Sequence, residues 1–284
     1  MLLIEKIEDL RSFLKETSGG KTIGFVPTMG CLHEGHISLI ARSVSENNIT
    51  VVSIFVNPLQ FGIGEDYDRY PKTLEDDKIK CEKAGATVIF YPSVDELYPE
   101  GYNTFVEVKK VTDTLCGTSR PGHFLGVTTI VLKLFNIVKP TTAYFGQKDA
   151  QQATVIKKMV EDLNINIQVT VCPIVRESDG LAMSSRNKYL SPAERAQAIV
   201  ISKAMQLAKS LTANGETDPA KIKAAVISLI SEKKLAHIEY VEIVNIKTLL
   251  SVETINNQAL LAVAVKFGTT RLIDNVILEE NLCN

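Results

Sequence analysis

The sequence predicts an α/β protein, with a doubly wound parallel sheet over residues 1–187 and a smaller C-terminal α+β domain over residues 188–284. Three observations carry this reading. Short β-rich runs alternate with helically spaced stretches through the first 180 or so residues. Near Ser191 the texture changes, and a helix-start signal opens two helical stretches. Three closely spaced alternating runs then follow, as in an antiparallel sheet.

The β-rich runs are Lys21–Pro27, Thr50–Val56, Thr87–Tyr91, Ala143–Phe145 and Ile167–Cys172. They are apolar and rich in β-branched residues, as strands buried on both faces must be. Between them, Ile37–Glu46, Leu74–Ala84, Val127–Val138 and Ala150–Leu163 carry apolar residues at helical spacing. This is the order of a Rossmann-like parallel sheet covered on both faces by helices. Ser191-Pro192-Ala193-Glu194 is a capping box with proline at the first helical position, so a helix should run to about Leu211. Asn214-Gly215 marks a turn and Asp218-Pro219 a second helix start. The final runs, Ile238–Ile246, Ala259–Phe267 and Arg271–Leu278, are the three strands.

Composition narrows the function classes. Of 284 residues, 45% are hydrophobic and 23% charged, with a net charge of −2 and no basic tail, so nucleic acid is not an expected partner. The five cysteines lie at least 35 residues apart, without zinc or redox spacing, and read as reduced thiols. The first residues become charged at Glu5 and Lys6, and the apolar stretch Val127–Val138 is too short to span a bilayer. A soluble cytoplasmic protein without a membrane partner is expected.

Five segments could carry chemistry. Pro27–His36 follows the first of these strand runs and ends in His33-Glu34-Gly35-His36. A strand that turns through glycine into a helix offers backbone N–H groups and a helix N-terminus to phosphate. His33 and His36, three apart, share a helix face, although a structural glycine turn would look similar. A zinc site of the His-Glu-x-x-His kind would need one more residue between them and a third ligand. In Ser53–Phe61 a strand stops at Asn57-Pro58, leaving Gln60 just beyond its edge; alone, this is an ordinary turn. Gly117–Gly126 places Arg120 and His123 before a helix, or in a solvated loop. Phe145–Gln152 sets Gly146, Gln147, Lys148 and Asp149 between a strand and a helix, where Lys148 suits a phosphate and Asp149 suits either a ribose or the helix cap. Val175–Asn187 places Ser184, Ser185 and Arg186 on a polar loop at the domain junction, equally readable as a linker. Adjacent Asp76 and Asp77, in a predicted helix, read as a solvated face.

Together, in this order and spacing, these segments closely resemble the pantothenate synthetase family, densely from Thr22 to about Asn187 and again at Tyr240–Glu242 and Thr270–Asn275. That family shares a His-x-x-His signature with wider nucleotidyltransferases. The resemblance implies ATP-dependent joining of pantoate to β-alanine through a pantoyl-adenylate, with release of AMP and pyrophosphate. It implies that Met29, Gly30, His33, His36, Gly146, Gln147, Lys148, Asp149, Val175, Met183, Ser184, Ser185 and Arg186 hold ATP. His36 matches the proton donor, and His33 and Lys148 join it in catalysis. Gln60 and Gln152 match the amides that hold pantoate, with Gln60 and Asn57 near β-alanine. Magnesium is expected on the ATP phosphates, without an assigned protein ligand, and the protein is expected to be a homodimer. Cys31 stands where a small apolar residue such as alanine is usual.

Overall fold

The structure is a computed structural model and describes residues 1–279. The first unit contains β1 (Leu2–Ile4), α1 (Ile7–Ser18), β2 (Ile23–Thr28), α2 (Glu34–Glu46), β3 (Ile49–Ile54), α3 (Leu74–Lys83), β4 (Val88–Phe90), α4 (Val94–Leu97), α5 (Cys116–Ser119), α6 (His123–Val138), β5 (Thr142–Gly146), α7 (Ala150–Asp162) and β6 (Gln168–Cys172). Its six strands are parallel in the order β1-β4-β3-β2-β5-β6. The order runs outward in one direction from β2 through β3, and in the other from β5 to β6. The neighbours β2 and β5 therefore form the topological switch point, where open α/β sheets bind ligands.

Alternation along each strand feeds two apolar layers, because successive side chains leave opposite faces. Phe25, Val51 and Phe145 join α1, α6 and α7 on one face, whereas Val26, Val52 and Tyr144 join α2 and α3 on the other. Burial on both faces explains why these strands read as continuous apolar runs. The opening Leu2–Ile4 run forms a further strand that the periodicity does not reveal. It pairs with β4, Leu2 opposite Val88, and at three residues is too short for any alternation to show.

The second unit contains α8 (Pro192–Ala198), α9 (Val200–Ala213), α10 (Pro219–Ser231), β7 (Ala236–Val244), β8 (Gln258–Phe267) and β9 (Thr270–Glu279), the strands antiparallel in the order β7-β8-β9. Residues 280–284 of the second predicted domain lie outside the described residues. The capping box forms: Glu194 N–H donates to Ser191 Oγ at 3.4 Å and Ser191 N–H to Glu194 Oε2 at 2.8 Å. The expected single helix from Ser191 is interrupted at Ile199, which keeps right-handed helical dihedrals, so the two pieces continue one another. β8 is buried on both faces. Leu261, Val263 and Val265 meet α9 and α10, whereas Leu260 and Ala262 join the core of the first unit. Among the described residues, no helix is long and apolar enough to cross a membrane.

Candidate active site

The site is built at the carboxyl ends of β2 and β5. After β2 the chain turns sharply through Gly30 (φ +83°) and Cys31 (φ +50°), two consecutive residues in the left-handed region. The turn is held from below by a carboxylate. Asp77 on α3 is fully buried and accepts N–H groups from Cys31 at 2.9 Å and Leu32 at 2.8 Å, plus the Thr73 hydroxyl at 3.1 Å. Lys80, one turn along α3, donates to the Leu32 carbonyl at 2.7 Å. Only Asp76 occupies the solvated face expected for both acids. Asp77 points inward because two orphan backbone donors of a left-handed turn need an acceptor there.

At the start of α2 the chain itself takes up the Gly35 amide. His33 is the N-cap, and its Nδ1 accepts the Gly35 N–H at 3.2 Å. The His33 N–H in turn donates to His36 Nδ1 at 3.3 Å. This is a capping box made of two imidazoles, with ring centroids 4.1 Å apart. With both Nδ1 atoms accepting, each neutral ring carries its proton on Nε2. Burial, followed by the nearby Lys148 ammonium, lowers His33 to about 4. Burial and then His33 itself hold His36 well below its usual value. At neutral pH the turn therefore presents two uncharged Nε2–H donors.

Across the switch point, Gly146 ends β5, and Lys148 stands in the short 3-10 turn Gln147–Asp149 before α7. A Cβ at Gly146 would meet only open space, so a ligand can approach the backbone there. Lys148 Nζ lies 3.7 Å from Asp149 Oδ2. Asp149 makes no side-chain cap to α7, which leaves its carboxylate available to the cavity.

Asn57, expected beside the substrate, lines the same cavity, and the protein itself occupies its amide. It is 1% exposed and its amide is saturated: Nδ2 donates to Gln60 Oε1 (3.1 Å) and the Gly126 carbonyl (3.0 Å), while Oδ1 accepts from Tyr98 Oη (2.8 Å) and Leu59 N–H (3.3 Å). Two backbone groups thus fix which way this amide faces. Gln60 follows: its oxygen meets Asn57 and its NH2 turns outward, donating to Met29 Sδ at 3.0 Å. The Gln60 carbonyl accepts from His123 Nδ1 at 2.8 Å, while Arg120 donates to His123 Nε2 at 3.0 Å and pairs with Glu65. The Arg120–His123 loop therefore belongs to the site. α6 reaches it because Gly126 has no side chain; a Cβ there would collide with the Leu59 carbonyl.

One cavity of about 210 Å³ is lined by Met29, His33, His36, Asn57, Gln60, Gly146, Lys148, Asp149, Gln152, Val175, Met183, Ser184, Ser185 and Arg186. Gly30 and Gln147 do not line it; Gly30 makes the turn, and Gln147 Nε2 donates to Asn275. A second cavity of about 530 Å³, between the units, shares Lys148, Asp149, Gln152, Ser184 and Arg186 and adds Arg120, His123, Tyr240 and Arg271. Arg186, expected on phosphate, pairs through two bonds of 2.8 and 2.9 Å with Asp66, and Ser185 shares a 3.1 Å bond with Tyr70. Burial pushes Tyr70 up to about 12, so it remains a phenol. Glu65, Asp66 and Tyr70 give no signal in the sequence, since their Gly-rich surroundings resemble any loop, and neither does the inward turn of Asp77.

Comparison with known proteins identifies the family. The family model described as Pantoate-beta-alanine ligase matches residues 2–277. The chain is 59% identical over 280 residues to the pantothenate synthetase of Acetivibrio thermocellus, spanning 98% of this chain and 100% of that protein. It is 56% identical to that of Caldicellulosiruptor saccharolyticus, with the same coverage. The crystal structure of pantothenate synthetase from Thermus thermophilus superimposes with a TM-score of 0.93 at 42% identity, covering 97% of this chain and 99% of that one. A pantoate-beta-alanine ligase from Francisella tularensis, complexed with beta-gamma ATP and β-alanine, gives a TM-score of 0.81 at 37% identity, covering 98% and 97%. With the match running almost end to end in both sequence and fold, the chain belongs to the pantoate–β-alanine ligase family.

Proposed function

We propose that the protein condenses pantoate with β-alanine at the expense of ATP, by way of a pantoyl-adenylate. The observation that carries this is the single cavity joining Lys148, two neutral imidazole donors and the amides Gln60 and Gln152 at one switch point. A carboxylate is inert toward amines until one oxygen becomes a good leaving group. In the first half-reaction the pantoate carboxylate attacks the α-phosphorus, a new P–O bond forms, and pyrophosphate leaves. Lys148 supplies positive charge, and His33 and His36 donate Nε2–H hydrogen bonds to the oxygens that gain charge. His36 is a hydrogen-bond donor in this reading, since its lowered pKa keeps it neutral. Gln60 turns its NH2 outward, so it binds an acceptor on pantoate, with Gln152 alongside.

In the second half-reaction the β-alanine amine attacks the acyl carbon, the C–O bond to AMP breaks, and the amine sheds a proton. Ser184, Ser185 and Arg186 close over the phosphates, for which Arg186 must exchange Asp66 for substrate oxygens. The side chains expected at the phosphates are mostly nitrogen donors, suited to phosphate oxygens; a hard cation prefers oxygen ligands, so Mg²⁺ would ride on the triphosphate and neutralise its charge. The reading extends to a cytoplasmic homodimer, with residues 188–284 as a domain closing on the nucleotide. These features follow from the family resemblance, and the oligomer is measurable by light scattering. The deciding experiment supplies ATP, Mg²⁺ and pantoate without β-alanine and follows labelled pyrophosphate into ATP. Exchange is expected; a strict need for β-alanine would rule out the adenylate.

A further inference from the structure

The second unit enters the first through two adjacent residues of β9. Asp274, 2% exposed, receives Arg176 through two bonds of 2.7 and 3.0 Å and also accepts the Asn275 N–H at 2.8 Å. Asn275, equally buried, donates from Nδ2 to the Gln147 carbonyl at 2.9 Å and to the Lys148 carbonyl at 3.0 Å. Its Oδ1 receives the Gln147 side-chain amide at 3.3 Å. One side chain thus uses both N–H bonds and its oxygen on two consecutive residues of the other unit.

Those two residues carry the segment on which the chemistry depends. Gln147 and Lys148 lie in the short turn before α7, and Asp149, at the N-cap, adds no side-chain cap to hold it. Lysine delivers its charge from a flexible four-carbon stem, so the precision of the ammonium is set by how firmly its backbone is held. A displacement of about 1 Å at a reacting centre can cost on the order of 10²-fold in rate. The missing restraint comes from Asn275, and Asp274 ties the same strand to Arg176, next to Val175 in the cavity lining.

We propose that Asn275 is a positioning residue: from the second unit, it fixes the backbone of Gln147 and Lys148 and so aims the Lys148 ammonium at the transferring phosphate. This deepens the reading of Lys148 given above and rests on it. The second unit is then part of the phosphate site itself and does more than cover it.

A double-mutant cycle on the full-length protein tests this, read by pyrophosphate exchange at saturating ATP and pantoate. Asn275→Ala should lower the exchange rate about ten- to a hundredfold, with the KM for pantoate within about twofold. The isosteric Asn275→Asp, which keeps an acceptor for Gln147 but loses both donors, should fail likewise; it serves if the alanine variant unfolds. In a Lys148→Ala background the same changes should cost less than about twofold, because there is no ammonium left to aim. Full additivity in that background would overturn the proposal and make Asn275 a general structural residue. Normal exchange in both Asn275 variants would overturn it too. Normal exchange in Lys148→Ala alone would instead remove Lys148 from the site and the role of Asn275 with it.

Discussion

Asp77 Oδ1 accepts the Leu32 amide hydrogen at 2.8 Å, joining α3 to a turn 45 residues earlier in the chain. The partner oxygen takes the Cys31 N–H, so both carboxylate oxygens serve the turn that leads to His33. Asp77→Asn replaces one acceptor with an NH2 group facing a backbone N–H. The fold should lose about 1–3 kcal/mol, and pyrophosphate exchange should fall at least about tenfold as His33 shifts. Thermal unfolding and the exchange assay measure the two; unchanged exchange would free the histidine turn from dependence on Asp77.

Gly35 offers a cleaner separation of stability from activity. A Cβ there would lie 2.9 Å from His33 Nδ1 and Cε1, inside any real contact distance. Gly35→Ala gains helix propensity worth up to about 1 kcal/mol but pushes the His33 ring off its capping position, at a similar cost. The melting point should barely move while adenylation drops at least about tenfold. Retained exchange would show that His33 need not stand where it does.

Acid should weaken the protein earlier than its carboxylates can explain. Folded His33 and His123 titrate near 4, against 6.5 for the ordinary group, and burial is the chief cause in each. Below pH 6.5 the unfolded chain binds protons that the folded one refuses. Stability is therefore full above pH 6.5 and declines as pH falls toward 4. Glu65 acts in a lower window: burial opposes its ionisation, but Arg120 brings it down to about 2, so its contribution fades only between 4.5 and 2. Urea midpoints at about pH 7.5 and about pH 5 isolate the histidines. Equal midpoints would contradict their burial as neutral rings.

The Asn57–Gln60 pair predicts a polarity effect. With Leu59 N–H and the Gly126 carbonyl fixing Asn57, Gln60 can only turn its NH2 outward. Asn57→Asp removes the donor that holds the Gln60 oxygen and invites the amide to flip. The KM for pantoate should rise at least about tenfold, reflecting an unpaired substrate acceptor at about 1–3 kcal/mol, with the KM for ATP within about twofold. Equal changes in both constants would place Gln60 away from the acid.

Much of this is legible in the chain, and the limits have physical causes. Strands such as Ile49–Ile54 and helices such as Ala150–Asp162 announce themselves because burial imposes a period on contiguous residues. His33 and Lys148 stand beside glycine turns at strand ends, but Gln60 alone reads as an ordinary turn, and it is the family resemblance that gathers the three, which line one cavity. Asp77 and Asn275 do not, because each acts on backbone groups far away in sequence, and an acceptor for an N–H or a donor to a carbonyl leaves no spacing to detect. Asn57 is legible as part of the site but not in its role, which depends on Tyr98 and Gly126, 41 and 69 residues away.

The shared packing of β8 bears on how the molecule comes apart. Val244, Leu249, Leu260 and Ala262 belong to the same apolar mass as Phe25 and Val51, so the two sheets share one core where they meet. Heating should then give one calorimetric endotherm, with van't Hoff and measured enthalpies equal, and not two separable steps. A chain stopped before α8 would carry that apolar face bare into solvent and associate through it, and a ribosome pausing there would hold a species in need of a chaperone.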